Sequence, residues 1–316
     1  MAAPKSPRKG SLQFWPRKRA SKLLPSVNWK AITSDFKGLK GFICYKVGMA
    51  SAFVKDNTEH SMTKGKRIAI PVTIVECPPM KILSVRFYKN GKVAKEILAG
   101  NIDKELKKVI KIPKSGKDGD INSENANNYD DIRIIVYSQV KKTNLKKTPD
   151  IIELAISGNN EEKLNYIKEK LSKDISISEI FENGQIVDIR GLTKGKGLSG
   201  PVQRFGITLK QHKSEKGRRK PGSLGPWHPA RVTFRVPMAG QLGMFTRVVY
   251  NNKIIAIGKA EEFGHSGLSN YGDVKTDYLI LRGSIQGPSK RQLLMTYPLR
   301  ASKKQLKKKF EFLELR

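Results

Sequence analysis

FICYKVGMASAFV (42–54) opens a series of short runs rich in Val, Ile, Phe and Tyr, and RIAIPVTIVEC (67–77) and KILSVRFYKNGKV (81–93) follow it. Gly, Pro and Asn bound these runs, which is the composition of antiparallel strands separated by turns. Asn90-Gly91 is a hairpin signal, because a two-residue turn that matches the strand twist needs positive φ at both central positions. The same texture returns far downstream in TRVVYNNKIIAIG (246–258), DYLILRGSI (277–285) and QLLMTYPL (292–299). Short strands at both ends of a chain, with a different middle, predict a mainly β fold: a closed β-barrel assembled from non-contiguous pieces.

The middle has its own pattern. Asn159 and Asn160 offer N-caps, Glu161 and Glu162 fill a first turn, Leu164, Ile167 and Leu171 share a face, and Lys168, Lys170 and Lys173 occupy the end. Acids at the start and bases at the end suit the helix dipole, so a helix is expected here within an inserted α/β lobe spanning 98–182. The polar run SGKDGDINSENANNYDD, from Ser115 to Asp131, reads as a mobile surface loop. No repeat with a period of about 20 to 50 residues is present.

Charge sets the class of partner. The 316 residues include 61 Lys or Arg and 28 Asp or Glu, a formal charge of +33. A compact chain repels itself at that charge unless a polyanion neutralises it, which makes nucleic acid the default partner. The excess is also localised. Residues 98–182 hold fifteen basic and fifteen acidic residues, so the whole +33 lies elsewhere, in 46 bases against 13 acids. One region faces water or protein and the other polyphosphate.

Cys44 and Cys77 lie in apolar runs without a CxxC pair, so neither a disulfide framework nor a zinc site is indicated, and a reducing intracellular compartment fits. No window approaches the roughly 18 to 20 apolar residues that span a bilayer, and the N-terminus lacks a signal-peptide core. A soluble chain with no membrane partner is expected.

The charge concentrates between Arg190 and Arg235, where twelve Lys or Arg and eight glycines accompany a single acid, Glu215. Gly195, Gly197 and Gly200 satisfy G-x-G-x-x-G, but Pro201 and the residues after it carry no helical apolar stripe, and no acid ends a strand about 20 residues on. A nucleotide fold is therefore not indicated. The glycines instead let the backbone approach a phosphodiester, with Lys194 and Lys196 on either side and Arg204 in the VQRFG that follows; they also satisfy a tight turn. The string His212, Lys213, Lys216, Arg218, Arg219 and Lys220 reads as an RNA-tracking loop in preference to a solvated charge run, with the two arginines suited to forked phosphate contacts. Trp227, between Pro226 and Pro229 with little apolar sequence near it, is placed to stack on an unpaired base, although tryptophans more often enter cores. His228 serves equally as a donor to RNA or as a turn residue. Arg231 and Arg235 close the stretch.

Residues 1–40 contain ten basic residues and one acid, with Pro4, Pro7, Pro16 and Pro25 and the aromatics Phe14, Trp15 and Trp29. Prolines at this frequency oppose a helix, and the aromatics favour an extended arm that orders on its partner over a solubilising tail. Arg17, Lys18 and Arg19 are its cationic centre. Catalytic patterns are missing: His60, His212, His228 and His265 stand apart from Cys or acids at metal spacing, and no nucleophile elbow or Walker motif occurs. No enzyme activity, cofactor or small-molecule substrate is expected. An RNA-modifying enzyme and a free RNA-binding chaperone are the alternatives.

RGLTKGKGLSGPVQRFG (190–206), GSLGPWHPARV (222–232), MAGQLGM (238–244) and GSIQGPSKRQL (283–293), with CYKVGMA (44–50) and PRKRA (16–20), together resemble the universal large-subunit ribosomal protein L-three family in its archaeal form. The resemblance covers nearly the whole chain. It implies a translation-factor-like β-barrel in pieces 41–97, 183–209 (which includes the GKG hinge) and 237–300. Beside it are implied the inserted lobe at 98–182, a basic N-terminal arm at 1–40, an rRNA-binding finger at 210–236 reaching toward the peptidyl transferase centre, and a basic C-terminal tail at 301–316. It further implies contacts by Lys290 and Arg291, a role in early assembly, neighbouring ribosomal proteins as partners, and a place in the cytoplasmic large subunit. Phe205 stands where the family commonly has tryptophan. The short C-terminus favours an archaeal source.

Overall fold

Six strands drawn from both ends of the sequence pair in a closed order. The computed structural model describes residues 10–11, 13–33, 38–100, 102–111 and 128–316. Its strands are β1 (Gly41–Asp56), β2 (Arg67–Glu76), β3 (Met80–Lys89), β4 (Lys92–Leu98), β5 (Asp131–Ser138), β6 (Ile151–Ala155), β7 (Ile186–Leu192), β8 (Leu198–Ser199), β9 (Gly240–Gln241), β10 (Thr246–Gly258), β11 (Tyr278–Arg282), β12 (Gln292–Thr296) and β13 (Phe310–Leu315). The helices are α1 (Asn160–Lys170), α2 (Pro201–Phe205) and α3 (Lys303–Leu306). The main sheet runs β12-β7-β10-β11-β2-β1-β13, and a further β12–β1 pairing makes it a ring. β1 is long enough to serve twice along one edge: Gly41 to Tyr45 pair with β12, and Ala52 to Asp56 with β13.

Two expectations change. The run at 81–93 belongs to a separate four-stranded sheet, β4-β3-β5-β6, and not with the first ring strands. The hairpin is where the dipeptide put it, with Asn90 and Gly91 at φ 51° and 72° joining β3 to β4. The C-terminal residues also do more than form a basic tail, because Phe310–Leu315 is a strand on β1. The FEFLEL alternation explains it, since Phe310 and Phe312 pack against the buried cluster of Val54, Ile70 and Ile280 while Glu311, Leu313 and Glu314 face solvent.

The chain forms two compact units: Leu24–Gly191 with Val248–Arg316, and Met1–Leu23 with Leu192–Arg247. In the former, a continuous core joins ring residues such as Ile43, Ile189, Leu279 and Leu293 to Met80, Val85, Ile134 and Val136 of the second sheet. Helix α1 buries Leu164 and Ile167 on this core, as its spacing predicts, and its N-cap Asn159 N–H donates to Glu162 at 3.2 Å. Trp29 is 4% exposed and joins Ile32 and Leu39 in the same core. The second half of the expected arm is thus packed, because a short helical turn at Trp29–Ala31 delivers the indole to apolar partners from distant strands.

Ion pairs tie the middle segment to the strand before it. Arg86 pairs with Glu96 and Glu153, Arg133 with Asp131 and Glu153, and Lys163 of α1 with Asp131, at 2.7–3.0 Å. Burial would raise the Asp131 carboxyl, but the hydrogen bonds from Lys163 and Arg133 outweigh it and hold the group below its usual range. Cys44 and Cys77 are both free and buried. The loop expected from Ser115 to Asp131 lies for the most part outside the described residues, as do Pro4 and Pro7.

Candidate nucleic-acid interface

The unit that holds the basic stretch has little regular structure, and its root is built from two short strands. β8 and β9 pair through Leu198–Gln241 and Ser199–Gly240. The Lys196 N–H donates to Leu242 O and the Leu242 N–H to Gly197 O, each at 2.9 Å. Gly243 sits at φ +77°, and a β-carbon there would lie 1.9 Å from the Lys194 carbonyl oxygen, so the two chains meet at a distance only glycine allows. A helix does begin after Gly200, contrary to the sequence expectation. Pro201 supplies the fixed φ of a first helical position, but α2 has only 5 residues and ends at Gly206 in the left-handed region.

Helix α2 carries Phe205 and Arg204 into a clasp around the arm. Trp15 stacks on Phe205 at 5.9 Å between ring centroids and meets Phe234 edge-on at 5.4 Å. The Arg17 guanidinium lies 4.4 Å over the Phe205 ring, donates to Arg204 O at 3.3 Å and to Ser11 O at 3.2 Å. Arg204 donates to the carbonyls of Gln241 and Met238, both at 3.0 Å, and burial lowers its proton affinity. Arg17 and Arg204, expected among the RNA-contacting cations, thus commit donors to the protein backbone and hold the root. Lys18 and Arg19 are exposed. Arg247, at the start of β10, lies 4.2 Å over Phe14 of the arm. These cation–π contacts, about 0.5 to 1 kcal/mol each where exposed, tie the arm to the root.

Beyond the root the chain runs from residue 207 to 235 with no helix, no strand and no buried residue. A turn closes part of it: the Lys210 N–H donates to Arg218 O and the Arg218 Nε to Lys210 O, at 3.1 and 3.2 Å. That hairpin-like closure presents His212, Lys213, Lys216, Arg218, Arg219 and Lys220, all exposed. Trp227 is 87% exposed, and His228, Arg231 and Arg235 beside it are exposed too. An indole left in water costs about 1.5 to 3 kcal/mol relative to burial, so Trp227 has apolar surface to gain from any contact outside the chain. Lys194 and Lys196 are exposed at the root.

Lys290 and Arg291 belong to the other unit. The buried Lys46 Nζ donates to Ile285 O at 2.7 Å and Gly287 O at 3.1 Å, while the Lys290 N–H donates to Lys46 O at 2.7 Å. Lys46 thereby fixes the loop that exposes Lys290 at φ +67°. Burial lowers the proton affinity of the half-buried Arg291. Sequence reasoning missed Lys46, whose place in an apolar run gives no hint of its role. It also missed the Phe234 and Arg247 contacts, although aromatic residues alternating with arginine were a usable signal.

An irregular, cationic segment with an exposed tryptophan, rooted by glycine contacts and an arginine clasp, has the chemistry of a polyanion-binding surface. The family model for Ribosomal protein L3 matches residues 1–314. The chain is 40% identical over 311 residues to the large ribosomal subunit protein uL3 of Archaeoglobus fulgidus, covering 94% of this chain and 93% of the relative. It is 38% identical over 308 residues to that of Methanocaldococcus jannaschii (93% and 91% covered), and 40% over 315 residues to that of Methanobrevibacter smithii (94% and 93%). The chain belongs to the ribosomal protein L3 family, and is a structural component of the ribosome, not an enzyme.

Proposed function

We propose that this chain is an archaeal-type constituent of the cytoplasmic large ribosomal subunit that binds large-subunit rRNA through two extensions and takes part in its early assembly. The ring acts as a translation-factor-like barrel, the 98–182 segment as an inserted lobe facing water or protein, and the 210–236 finger enters rRNA toward the peptidyl transferase centre. Neighbouring ribosomal proteins are its further partners. One observation carries this reading: from 207 to 235 no residue is buried, yet cations and an exposed indole crowd the segment. Such a surface gains by releasing counterions from phosphates and by stacking on bases. Arg17, Lys18, Arg19, Lys194, Lys196, Arg204, His212, Lys213, Lys216, Arg218, Arg219, Lys220, His228, Arg231, Arg235, Lys290 and Arg291 supply the RNA contacts, Trp227 the stacking, and Arg17 and Arg204 also hold the arm and root in place. Sedimentation of cell lysate in high salt tests it. The chain should follow large subunits at unit stoichiometry, and its recovery in free fractions would overturn the reading.

A further inference from the structure

The unit that contains the ring carries a second concentration of positive charge, assembled around a buried lysine. Lys253 of β10 is 4% exposed, and its Nζ donates to Gln305 O at 3.1 Å and to Lys308 O. Two backbone carbonyls, one in the last turn of α3 and one just beyond it, thus satisfy a buried ammonium group. Arg282 of β11 adds a contact to Gln305 Oε1 at 3.4 Å and lies 5.0 Å over Phe310. Together these groups staple 303–310 to the ring strands. The stapled segment holds Lys303, Lys304 and Lys307 exposed and Lys308 half-buried, and among the described residues none of the four meets a carboxylate within ion-pair distance.

The geometry gathers like charges against their own field. Burial, then Arg282 and Lys304, lower the proton affinity of Lys308, and burial, then Arg282 and Lys308, lower that of Lys253. Asp56 alone opposes this at Lys308, and its carboxylate is engaged by Thr58, Ser61 and Thr63. Lys309 differs from its neighbours because Glu59 neutralises it at 2.9 Å. A fold that fixes unneutralised ammonium groups together supplies the site for an external polyanion. Lysines, as mobile point charges without a forked geometry, suit a run of phosphates over a planar carboxylate.

We propose that the stapled α3 segment is a second contact for the RNA phosphodiester backbone, with Lys303, Lys304, Lys307 and Lys308 as its cations and Lys253 as their positioning residue. It rests on the reading of this chain as an rRNA-binding protein but uses none of the finger's residues. The test titrates the full-length chain into large-subunit rRNA over a range of salt. It compares wild type with Lys303→Gln/Lys304→Gln/Lys307→Gln and with a finger variant, Arg218→Gln/Arg219→Gln/Lys220→Gln. Each neutralised phosphate contact contributes about 0.7 to 0.9 to the slope of log affinity against log salt, so the tail variant should lose roughly 2 to 3 in slope. Its melting temperature should hold, because all three side chains are exposed. Lys253→Met should lower the slope while every surface cation remains. An unchanged slope in the tail variant, with a reduced one in the finger variant, overturns the proposal and leaves the rRNA reading standing. Salt-independent or absent binding by the wild type overturns both.

Discussion

Replacing Gly243 by alanine perturbs the root of the finger at its tightest point. The new methyl would lie 1.9 Å from the Lys194 carbonyl oxygen and 2.9 Å from the Gly195 α-carbon, both backbone atoms that cannot rotate away. The φ of +77° adds about 1 to 2 kcal/mol for a residue with a β-carbon in the left-handed region. Relief of the clash requires the 194–197 and 241–243 segments to separate, which breaks the paired bonds between Lys196, Leu242 and Gly197, each about 0.5 to 1.5 kcal/mol. The sum is about 2 to 5 kcal/mol against local closure, or a roughly 30- to 3000-fold loss of protection at tenfold per 1.4 kcal/mol. Amide hydrogen exchange reads this directly at Lys196 and Leu242, with Leu279 and Ile280 in the ring as internal references. Wild-type protection at Lys196 and Leu242 in the variant would refute the reasoning, since it would show both bonds kept beside the added methyl.

Three further outcomes follow from other sites. Trp29→Ala removes a core indole and should cost about 3 to 5 kcal/mol, seen as a lower denaturation midpoint; a shift under 1 kcal/mol would show that the arm is not part of the core. Asp56 accepts from the Thr58 N–H and the Ser61 and Thr63 hydroxyls, which hold its folded-state pKa below the ordinary carboxylate value. A depressed carboxyl stabilises the fold above its unfolded pKa of about 3.9 and loses that contribution as pH falls through the folded one. The stability gap between wild type and Asp56→Ala should therefore be level from about pH 8 to 5 and narrow below about pH 4; a gap constant down to about pH 2 would contradict this. Trp227→Ala should impair translation while subunit assembly is largely kept, with a loss of about 1 to 3 kcal/mol in RNA contact, and normal translation would rule out a stacking role.

The sequence made local features legible and hid those that depend on distant partners. Asn90-Gly91 and the Asn159-capped helix are encoded within a few residues, and both are where their patterns place them. The exposure of Trp227 follows from its prolines, glycines and lack of apolar neighbours. Trp29, also among prolines and cations, is buried, because Leu24, Val27 and Ile32 near it in sequence and Leu39, Leu154 and Met295 from elsewhere share its core. KILSVRFYK looks like any ring strand, and only pairing with Asp131–Ser138 assigns it to the second sheet. Arg17 and Arg204 stand in the sequence as candidate RNA-contacting cations and nothing marks Lys46 or Lys253, whereas each donates to backbone carbonyls that only the folded chain presents.

The double use of β1 bears on the order of events during synthesis. One edge of this early strand pairs with Gln292–Thr296 and Phe310–Leu315, residues made more than 200 positions later. Until they emerge, β1 stands with an open row of backbone donors and acceptors, a template for any other strand. The finger and arm, by contrast, are complete once Arg247 has been made. The new chain therefore offers its cation-rich extensions before its scaffold can close, and an early polyanion partner would meet a protein whose ring is still open.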